Sequence, residues 1–466
     1  MNFPEDTIAA ISTPVGIGGI SVIRISGKDA ISKTDKIFKG KQSLSSAKTH
    51  TAHFGKIMFN DGTTIDEVVA TVFRAPQSYT AENIVEISCH GGYYVTKILL
   101  EIILATGIRH AVPGEFTKRA FLNNRIDLIQ AEAVAEMINS TTMLYHHAAM
   151  DQLEGKLSTE IKQIRERLLN LSSLLEIELD FADEDIEFQN RSILASELET
   201  TIGSLEKWID SYKIGKIYKD GLKVAIVGKP NVGKSSIFNA LLCNERAIVT
   251  EIPGTTRDVI EESITIDGIL FRISDTAGVR DVSDIVESKG IERTKFQIGN
   301  SDIVILVVDP TQQITVADDT IISLIMEKSE PSNNNRILII NKQDIIIPNP
   351  LMVKELTRTF THVVNLSATE GFGFDSLRKT IITVATENAT VDIQQGSIII
   401  NERHKECLTK ALNNLLNASN ALSKKTSNEY IAFDIHSAMT DLGEIIGACS
   451  TQEILNNIFS KFCIGK

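Results

Sequence analysis

The sequence predicts a multidomain protein: an α+β N-terminal domain, a discontinuous α-helical domain, and an α/β domain inserted among the helices. Three textures carry that reading. Residues 1–120 alternate short β-branched runs with Gly and Pro punctuation. From about Ile126 to Ile214 apolar residues recur at spacings of three and four. From Gly221 strand-like and helix-like stretches alternate to about residue 385, before helical spacing returns over Asn401–Lys466. The corresponding domains are 1–120, 121–216, 217–385 and 386–466, the second and last forming one helical body.

In the first segment, Ile20–Ile25, Val68–Phe73 and Ile84–Ser88 read as strands, and Tyr94–Thr106 as an apolar helix. Gly16-Ile-Gly-Gly19 precedes a strand instead of following one, so it is a turn and not a dinucleotide fingerprint. In the second, Leu153, Leu157, Ile161, Ile164, Leu168, Leu171, Leu174 and Leu175 form a stripe with Lys, Arg and Glu between them. The tail repeats the pattern with Leu408, Leu412, Leu415 and Leu416, then Ile435, Met439, Leu442, Ile445 and Ile446. A helix cannot bury such a stripe alone, so tail and middle helices are expected to pack together around the inserted α/β unit. The acidic run from Glu176 to Glu187 reads as a solvated helix end and loop.

The 466 residues suggest about three domains. With 42% hydrophobic and 23% charged residues the composition is that of a soluble globular chain. No apolar run approaches the roughly 18 residues of a membrane span, and the N-terminus lacks the basic and apolar regions of a signal peptide. A cytoplasmic protein without a membrane partner is expected. Five scattered cysteines without a CxxC pair suggest neither a zinc site nor a disulfide framework. The net charge of −13 argues against indiscriminate nucleic-acid binding by bulk charge.

The inserted unit carries the clearest chemistry. Leu222–Val227 is a buried strand running into Gly228-Lys-Pro-Asn-Val-Gly233-Lys234-Ser235 and then a helix, the phosphate-binding GxxxxGK[ST] loop in its required context. Backbone N–H groups of Asn231, Val232 and Gly233 and the helix start at Ser236 suit phosphate. Lys234 suits the β/γ-phosphates, and Ser235 Mg²⁺. Strands Ile264–Ile266 and Leu270–Ser274 flank an Asp267-Gly268 hairpin turn and lead to Asp275-Thr276-Ala277-Gly278, a metal-and-γ-phosphate motif. Strand Ile303–Val308 follows. Strand Ile337–Ile340 delivers Asn341-Lys342-Gln343-Asp344, where Asp344 accepts from guanine N1–H and the N2 amine, donors that adenine lacks there. Ser367-Ala368-Thr369 after Val363–Leu366 supports guanine O6. The set specifies a Ras-like G domain of the P-loop NTPase class and GTP over ATP.

Hydrolysis needs an oriented water. Ras-like proteins commonly place Gln after DxxG; here that position is Val279, which cannot hydrogen-bond water. Val279–Ile291 holds Arg280, Asp281, Asp284, Glu287 and Lys289, and a carboxylate there is the candidate replacement. In the switch segment Thr250-Glu251-Ile252-Pro253-Gly254-Thr255-Thr256, both threonines at 255 and 256 are candidates for completing Mg²⁺ coordination. Arg257 is equally readable as an internal arginine finger or as a surface arginine.

GKPNVGKSS, GTTRD, DTAGVR and NKQD, with the terminal Cys463-Ile-Gly-Lys466, resemble the tRNA uridine-5-carboxymethylaminomethyl modification GTPase family (MnmE-type, also called TrmE). The resemblance spans the chain. Phe73 through Glu82, Cys89-His-Gly-Gly92, and Pro113 through Arg125 to Gln130-Ala-Glu-Ala133 look like the family's N-terminal domain and its junction to the helices. The resemblance implies a homodimeric, potassium-stimulated GTPase with Glu287 as catalytic residue acting on water indirectly. It implies Asn231, Thr250, Ile252 and Thr255 as K⁺ ligands, with Thr256 beside Ser235 at Mg²⁺. It further implies a folate-binding-like N-terminal domain for a tetrahydrofolate derivative (5-formyl or 5,10-methylene type) at Arg24, Glu82, Arg125 and Lys466, with Cys463 as a possible nucleophile. The implied partner is an FAD-dependent MnmG-type subunit, in a heterotetramer or larger complex, and the implied substrate is the wobble uridine of certain tRNAs. The alternatives are a ribosome-assembly or signalling GTPase switch, and a folate-dependent one-carbon transferase with a regulatory G domain.

Overall fold

The computed structural model describes residues 6–59, 61–180, 191–245, 261–275, 287–312, 315–328, 335–345, 356, 359–387, 397–424, 426–449 and 451–466. The chain opens with β1 (Ile8–Ile11), β2 (Ile20–Ser26), α1 (Ala30–Ile37), β3 (Phe38–Gly40), β4 (Thr51–Met58), β5 (Thr64–Phe73) and β6 (Ile84–His90). Next come α2 (Tyr93–Ala105), β7 (Arg109–His110), α3 (Glu115–Leu122), α4 (Leu128–Asn139), α5 (Met143–Leu153), α6 (Lys156–Asp180) and α7 (Arg191–Asp220). The stretch after residue 221 gives β8 (Leu222–Val227), α8 (Lys234–Glu245), β9 (Glu261–Ile266), β10 (Ile269–Asp275), α9 (Glu287–Asn300) and β11 (Ile303–Val308). It continues with α10 (Val316–Lys328), β12 (Arg336–Ile340), β13 (His362–Asn365) and α11 (Phe374–Glu387). Helices α12 (Glu402–Ser423), α13 (Asn428–Ile446) and α14 (Gln452–Ser460) close it. The chain groups into two compact units.

The first unit comprises Met1–Ile138, Met150–Asn190 and Asn420–Lys466. Its seven-stranded sheet has the order β3-β4-β5-β6-β2-β1-β7. Pairing is antiparallel except between β1 and β7. Alternation along β2 and β6 sends Ile23, Ile25, Val85, Ile87 and Cys89 to one face, where they form a core with Ile31, Leu99 and Ile103 of α1 and α2. The opposite face carries Arg24 and Glu86, which are cross-strand partners, and a smaller cluster of Ile8, Ala10, Ala111 and Phe116 with Tyr79 packed on it. Chain residues 462–466 lie on this second face: Ser12 Oγ donates to Gly465 O at 3.2 Å and Phe116 N to Lys466 O at 3.2 Å. Gly465 has φ +96°, and a Cβ there would stand 2.3 Å from Ile11 O, so glycine alone permits the approach.

The helices of this unit answer the stripe seen in sequence. Leu157, Ile161, Ile164, Leu168, Leu171 and Leu175 of α6 are buried, as are Ile431, Ile435, Met439, Leu442 and Ile445 of α13, and the two helices pack together. Gly443 leaves room for the Arg165 guanidinium, whose Nε donates to Met439 O at 3.0 Å. Leu455, Phe459 and Phe462 pack with Leu128 and Ala131. Helix α4 begins at Leu128, so Ile126 and Asp127 precede it; the Asp127 carboxylate accepts from Gln130 N at 3.1 Å.

The second unit comprises Asn139–Ala149 and Arg191–Ser419. Its six-stranded sheet has the order β13-β12-β11-β8-β10-β9, parallel apart from β9 against β10. The apolar runs of β11 and β12 are buried, as parallel strands covered on both faces must be. Asp267 (φ 49°) and Gly268 (φ 81°) make the tight left-handed turn joining β9 to β10. Gly215 of α7 is closed over by Ile399 O, and Ser211 Oγ accepts from Ile399 N at 3.1 Å, tying residues 397–400 to that helix.

Candidate functional site

Parallel strands deliver their following loops to one edge, and here the carboxyl ends of β8, β10, β12 and β13 bring the nucleotide motifs together. The loop after β8 turns on Gly228 (φ +147°) and Gly233 (φ +101°), where side chains would strike Val307 O at 2.4 Å and Asn341 Nδ2 at 2.1 Å. Asn231 adopts φ 61° and is exposed; Val232 is buried at 2% exposure. Lys234 Nζ donates to the carbonyls of Gly228 (2.8 Å) and Lys229 (2.6 Å). Ser235 and Ser236 are exposed in the first turn of α8, where unpaired N–H groups and the helix dipole favour an anion.

Asn341 joins two parts of the site. It is 2% exposed; its Nδ2 donates to Val232 O at 2.8 Å, and its Oδ1 accepts from Ala368 N at 3.1 Å. The phosphate loop is thereby tied to the loop after β13. Asp344 is exposed and accepts from Ser367 Oγ at 2.6 Å, while Ser367 Oγ accepts from Glu370 N at 3.2 Å. Lys342 (φ 58°) donates to Asp309 Oδ2 at 2.6 Å. Burial would raise the Asp309 carboxyl, but hydrogen bonds from Lys342 and Thr311 outweigh it and hold the group below the ordinary carboxylate value. Thr369 is exposed beside Ala368.

Asp275 ends β10 in register with Ile226, and Glu287 is the first residue of α9. Thr250, Glu251, Ile252, Pro253, Gly254, Thr255, Thr256 and Arg257 lie outside the described residues, as do Thr276, Ala277, Gly278 and Val279.

A second constellation occupies the open face of the seven-stranded sheet. The Arg24 guanidinium lies 4.9 Å from the Tyr79 ring centroid and that of Arg125 5.2 Å, both within cation–π range. Arg24 Nε pairs with Glu86 Oε1 at 2.8 Å, while its buried Nη1 has no hydrogen-bond partner. Arg125 donates to Tyr79 O at 2.9 Å, and Tyr79 Oη meets Thr117 Oγ1 at 2.8 Å. Burial first, then the charge of Arg24, lowers the Lys466 amine, with Glu86 and Cys463 acting the other way. Cys463 is exposed, and its carbonyl accepts from the backbone of Gly114 and Lys466. Glu82 accepts from Ser26 Oγ at 2.7 Å and from Arg119 Nη1 at 3.2 Å.

Arg24 and Arg125 thus meet at Tyr79, the Lys466 amine lies within electrostatic reach of Arg24, and Glu82 lies three residues along the Tyr79 loop, already holding two donors. Sequence reasoning missed Tyr79, which stands inside the quoted Phe73–Glu82 stretch, and the buried network behind Glu82. In that network Arg119 also reaches Asp6 Oδ1 at 2.6 Å and Glu115 Oε1 at 3.0 Å, and Arg109 reaches Asp6 Oδ2 at 2.6 Å. Burial raises the Glu115 carboxyl, yet Arg109, the Val112 N–H and Arg119 outweigh it and hold it low.

A mostly parallel sheet with a phosphate loop after the inner strand β8, and an Asn/Asp pair at the carboxyl end of β12, two places along, defines a P-loop GTP hydrolase. Sequence relationships then place it. Residues 7–125 match the GTP-binding protein TrmE N-terminus and residues 128–463 the MnmE helical domain. The tRNA modification GTPase MnmE of Flavobacterium johnsoniae is 41% identical, with 99% of each chain covered. Those of Christiangramia forsetii and Chlorobaculum tepidum are 42% and 39% identical, covering 99% of this chain and 99% and 98% of theirs. The chain belongs to the MnmE family, with an N-terminal domain, a helical domain and a G domain. Among the described residues no helix is long and apolar enough to cross a membrane.

Proposed function

We propose that the chain is a potassium-stimulated GTPase that modifies C5 of the wobble uridine in certain tRNAs with a (carboxymethyl)aminomethyl group. It works as a homodimer with an FAD-dependent MnmG-type partner. The observation that carries the tRNA-chemistry half is the meeting of Arg24 and Arg125 at Tyr79, with the Lys466 amine within electrostatic reach of Arg24 and Glu82 on the Tyr79 loop. That donor set fits a tetrahydrofolate derivative. Arg24 Nη1 is a buried donor without a partner, and such a group is costly unless an acceptor reaches it. Arg24, Arg125 and Lys466 suit the anionic glutamyl tail, the Tyr79 ring suits a flat ring system, and the Glu82 carboxylate suits a donor edge of the pterin. The bound folate would supply a one-carbon unit. Cys463, exposed near the Lys466 amine, is the candidate nucleophile of the site.

In the G domain, Lys234 and the amides of Asn231–Gly233 bind the phosphates, and Asp344 with Ser367-Ala368-Thr369 reads guanine. Ser235 and Thr256 would hold Mg²⁺, and Asn231, Thr250, Ile252 and Thr255 would hold K⁺, whose charge would offset that developing on the phosphates. Glu287, opening α9, orients the water in place of a residue at Val279. We assign 1–120 to folate binding and dimerisation, 121–216 and 386–466 to one helical domain, and 217–385 to the inserted G domain. The packing of α6 on α13, which flank the G domain in sequence, supports the insertion. Mass spectrometry of tRNA nucleosides from cells lacking the gene tests the reading: the C5 modification should disappear and return with the wild-type chain. Unchanged nucleosides would refute it.

A further inference from the structure

Two aspartates outside the nucleotide motifs grip the site from one connection. The segment between β11 and α10 starts with Asp309 and ends at Asp318 in the first turn of α10. The Asp309 side chain is fully buried and accepts from Lys342 Nζ at 2.6 Å, Thr311 Oγ1 at 2.6 Å, Thr311 N at 2.9 Å and Gln312 Nε2 at 3.3 Å. Lys342 is flanked by Asn341, which holds the phosphate loop, and precedes the base reader Asp344 by two residues. Asp318 accepts from Thr315 N at 2.9 Å, closing the first turn of its helix. It also pairs with Lys229, the second residue of the phosphate loop; the two side chains are 11% and 14% exposed. The Lys229 carbonyl in turn accepts from Lys234 Nζ at 2.6 Å. One short connection therefore fixes a lysine at the base end of the site and, through the Lys229 peptide, the lysine at the phosphate end.

Energetics point the same way. A buried ion pair adds little net stability compared with a well-packed apolar pair, because desolvation offsets the attraction. Two such pairs converging on one ligand site are better explained by the orientation they impose. We propose that Asp309 and Asp318 are positioning residues for GTP, Asp309 acting through Lys342 on the base and Asp318 acting through Lys229 on the placement of Lys234.

The two ends predict different kinetic signatures in the full chain. Asp309→Asn should raise the dissociation constants of GDP and GTP alike about tenfold (~1.4 kcal/mol), with KM rising in step and kcat falling less than about twofold. Asp309→Glu should recover part of the affinity. Asp318→Asn keeps an acceptor for Thr315 N and removes only the charge. It should lower kcat about tenfold, since ~1.4 kcal/mol of transition-state contact is lost. Lys229→Met approaches the same pair from its other side, and the double variant should be no slower than either single one. Thermal unfolding read in parallel gives the folded fraction. Nucleotide constants and kcat per folded molecule equal to wild type, with only the melting temperature lowered, would overturn the proposal. So would multiplicative losses in the Lys229→Met/Asp318→Asn pair. Wild-type hydrolysis of GTP under the same conditions reports separately on the enzyme itself.

Discussion

Asn341→Ala is the sharpest probe of how the nucleotide site is held together. The residue is 2% exposed and makes two hydrogen bonds, to Val232 O at 2.8 Å and from Ala368 N at 3.1 Å. The alanine would leave a buried carbonyl in the phosphate loop and an amide in the base-reading loop without partners. Each orphaned group costs about 1–3 kcal/mol, so the pair amounts to ~2–4 kcal/mol after water reaches part of the gap. On the proposed reading, in which one loop takes the phosphates and the other the base, much of this loss should appear in binding, weakening GTP and GDP by roughly 30- to 1,000-fold. Stopped-flow binding of a fluorescent GTP analogue measures it, and most of the effect is expected in the dissociation rate. Loss of less than about threefold in affinity, which is under ~0.7 kcal/mol, in a variant with unchanged melting temperature would refute the argument that Asn341 couples the loops.

Asp344→Asn should move preference from guanine to xanthine nucleotides, checked by competing XTP against GTP; retained GTP selectivity would remove Asp344 as the base reader. Glu287→Ala should leave GTP binding nearly intact and cut turnover by about two orders of magnitude or more, the scale of general-base and water-positioning losses, read in a phosphate-release assay. Exchanging K⁺ for Na⁺ at equal ionic strength should slow hydrolysis by the wild-type chain, and equal rates would exclude the cation site. Glu115 and Asp6 have folded pKa values below their ordinary ones, so each binds fewer protons folded than unfolded. Their stabilisation is full above the ordinary carboxylate values and is lost as pH falls through the lowered ones. Glu115→Gln, which removes one of the carboxylates shared by Arg109 and Arg119, should therefore cost about 1.5–3 kcal/mol near neutrality and flatten the acid limb of a urea-midpoint profile.

What the sequence disclosed was what local physics encodes. The phosphate loop, the Asp267-Gly268 turn and the apolar runs of β11 and β12 each declare themselves within ten residues, because backbone conformation and burial on both faces restrict composition there. The leucine stripe of α6 likewise announced a partner, and α13 supplies it. Strand β4 went unread: Thr-Ala-His-Phe-Gly-Lys-Ile-Met has few β-branched residues, and its pairing with β5 holds it extended. Strand β1 is only Ile8–Ile11, and its burial depends on β2 and β7. Tyr79 reads as an ordinary loop aromatic, and its meaning comes from Arg24 and Arg125 approaching its ring in space. The Lys229–Asp318 pair is similarly invisible in one dimension, although Thr315 and Asp318 at capping-box spacing mark where α10 begins.

The seating of Gly465 and Lys466 against Ile11, Ser12 and Phe116 has a consequence for biosynthesis. Ser12 must wait for a partner 453 positions downstream, whereas every strand of the six-stranded sheet lies within residues 222–365. On the ribosome the six-stranded sheet can therefore pair its strands before Gly465 and Lys466 reach Ser12 and Phe116. A chain cut before Cys463 would keep every strand of the six-stranded sheet and lose the contacts of Gly465 and Lys466 with Ser12 and Phe116. Residues 465 and 466 thus make the finishing of the second face of the seven-stranded sheet depend on a contact between two distant stretches of the chain.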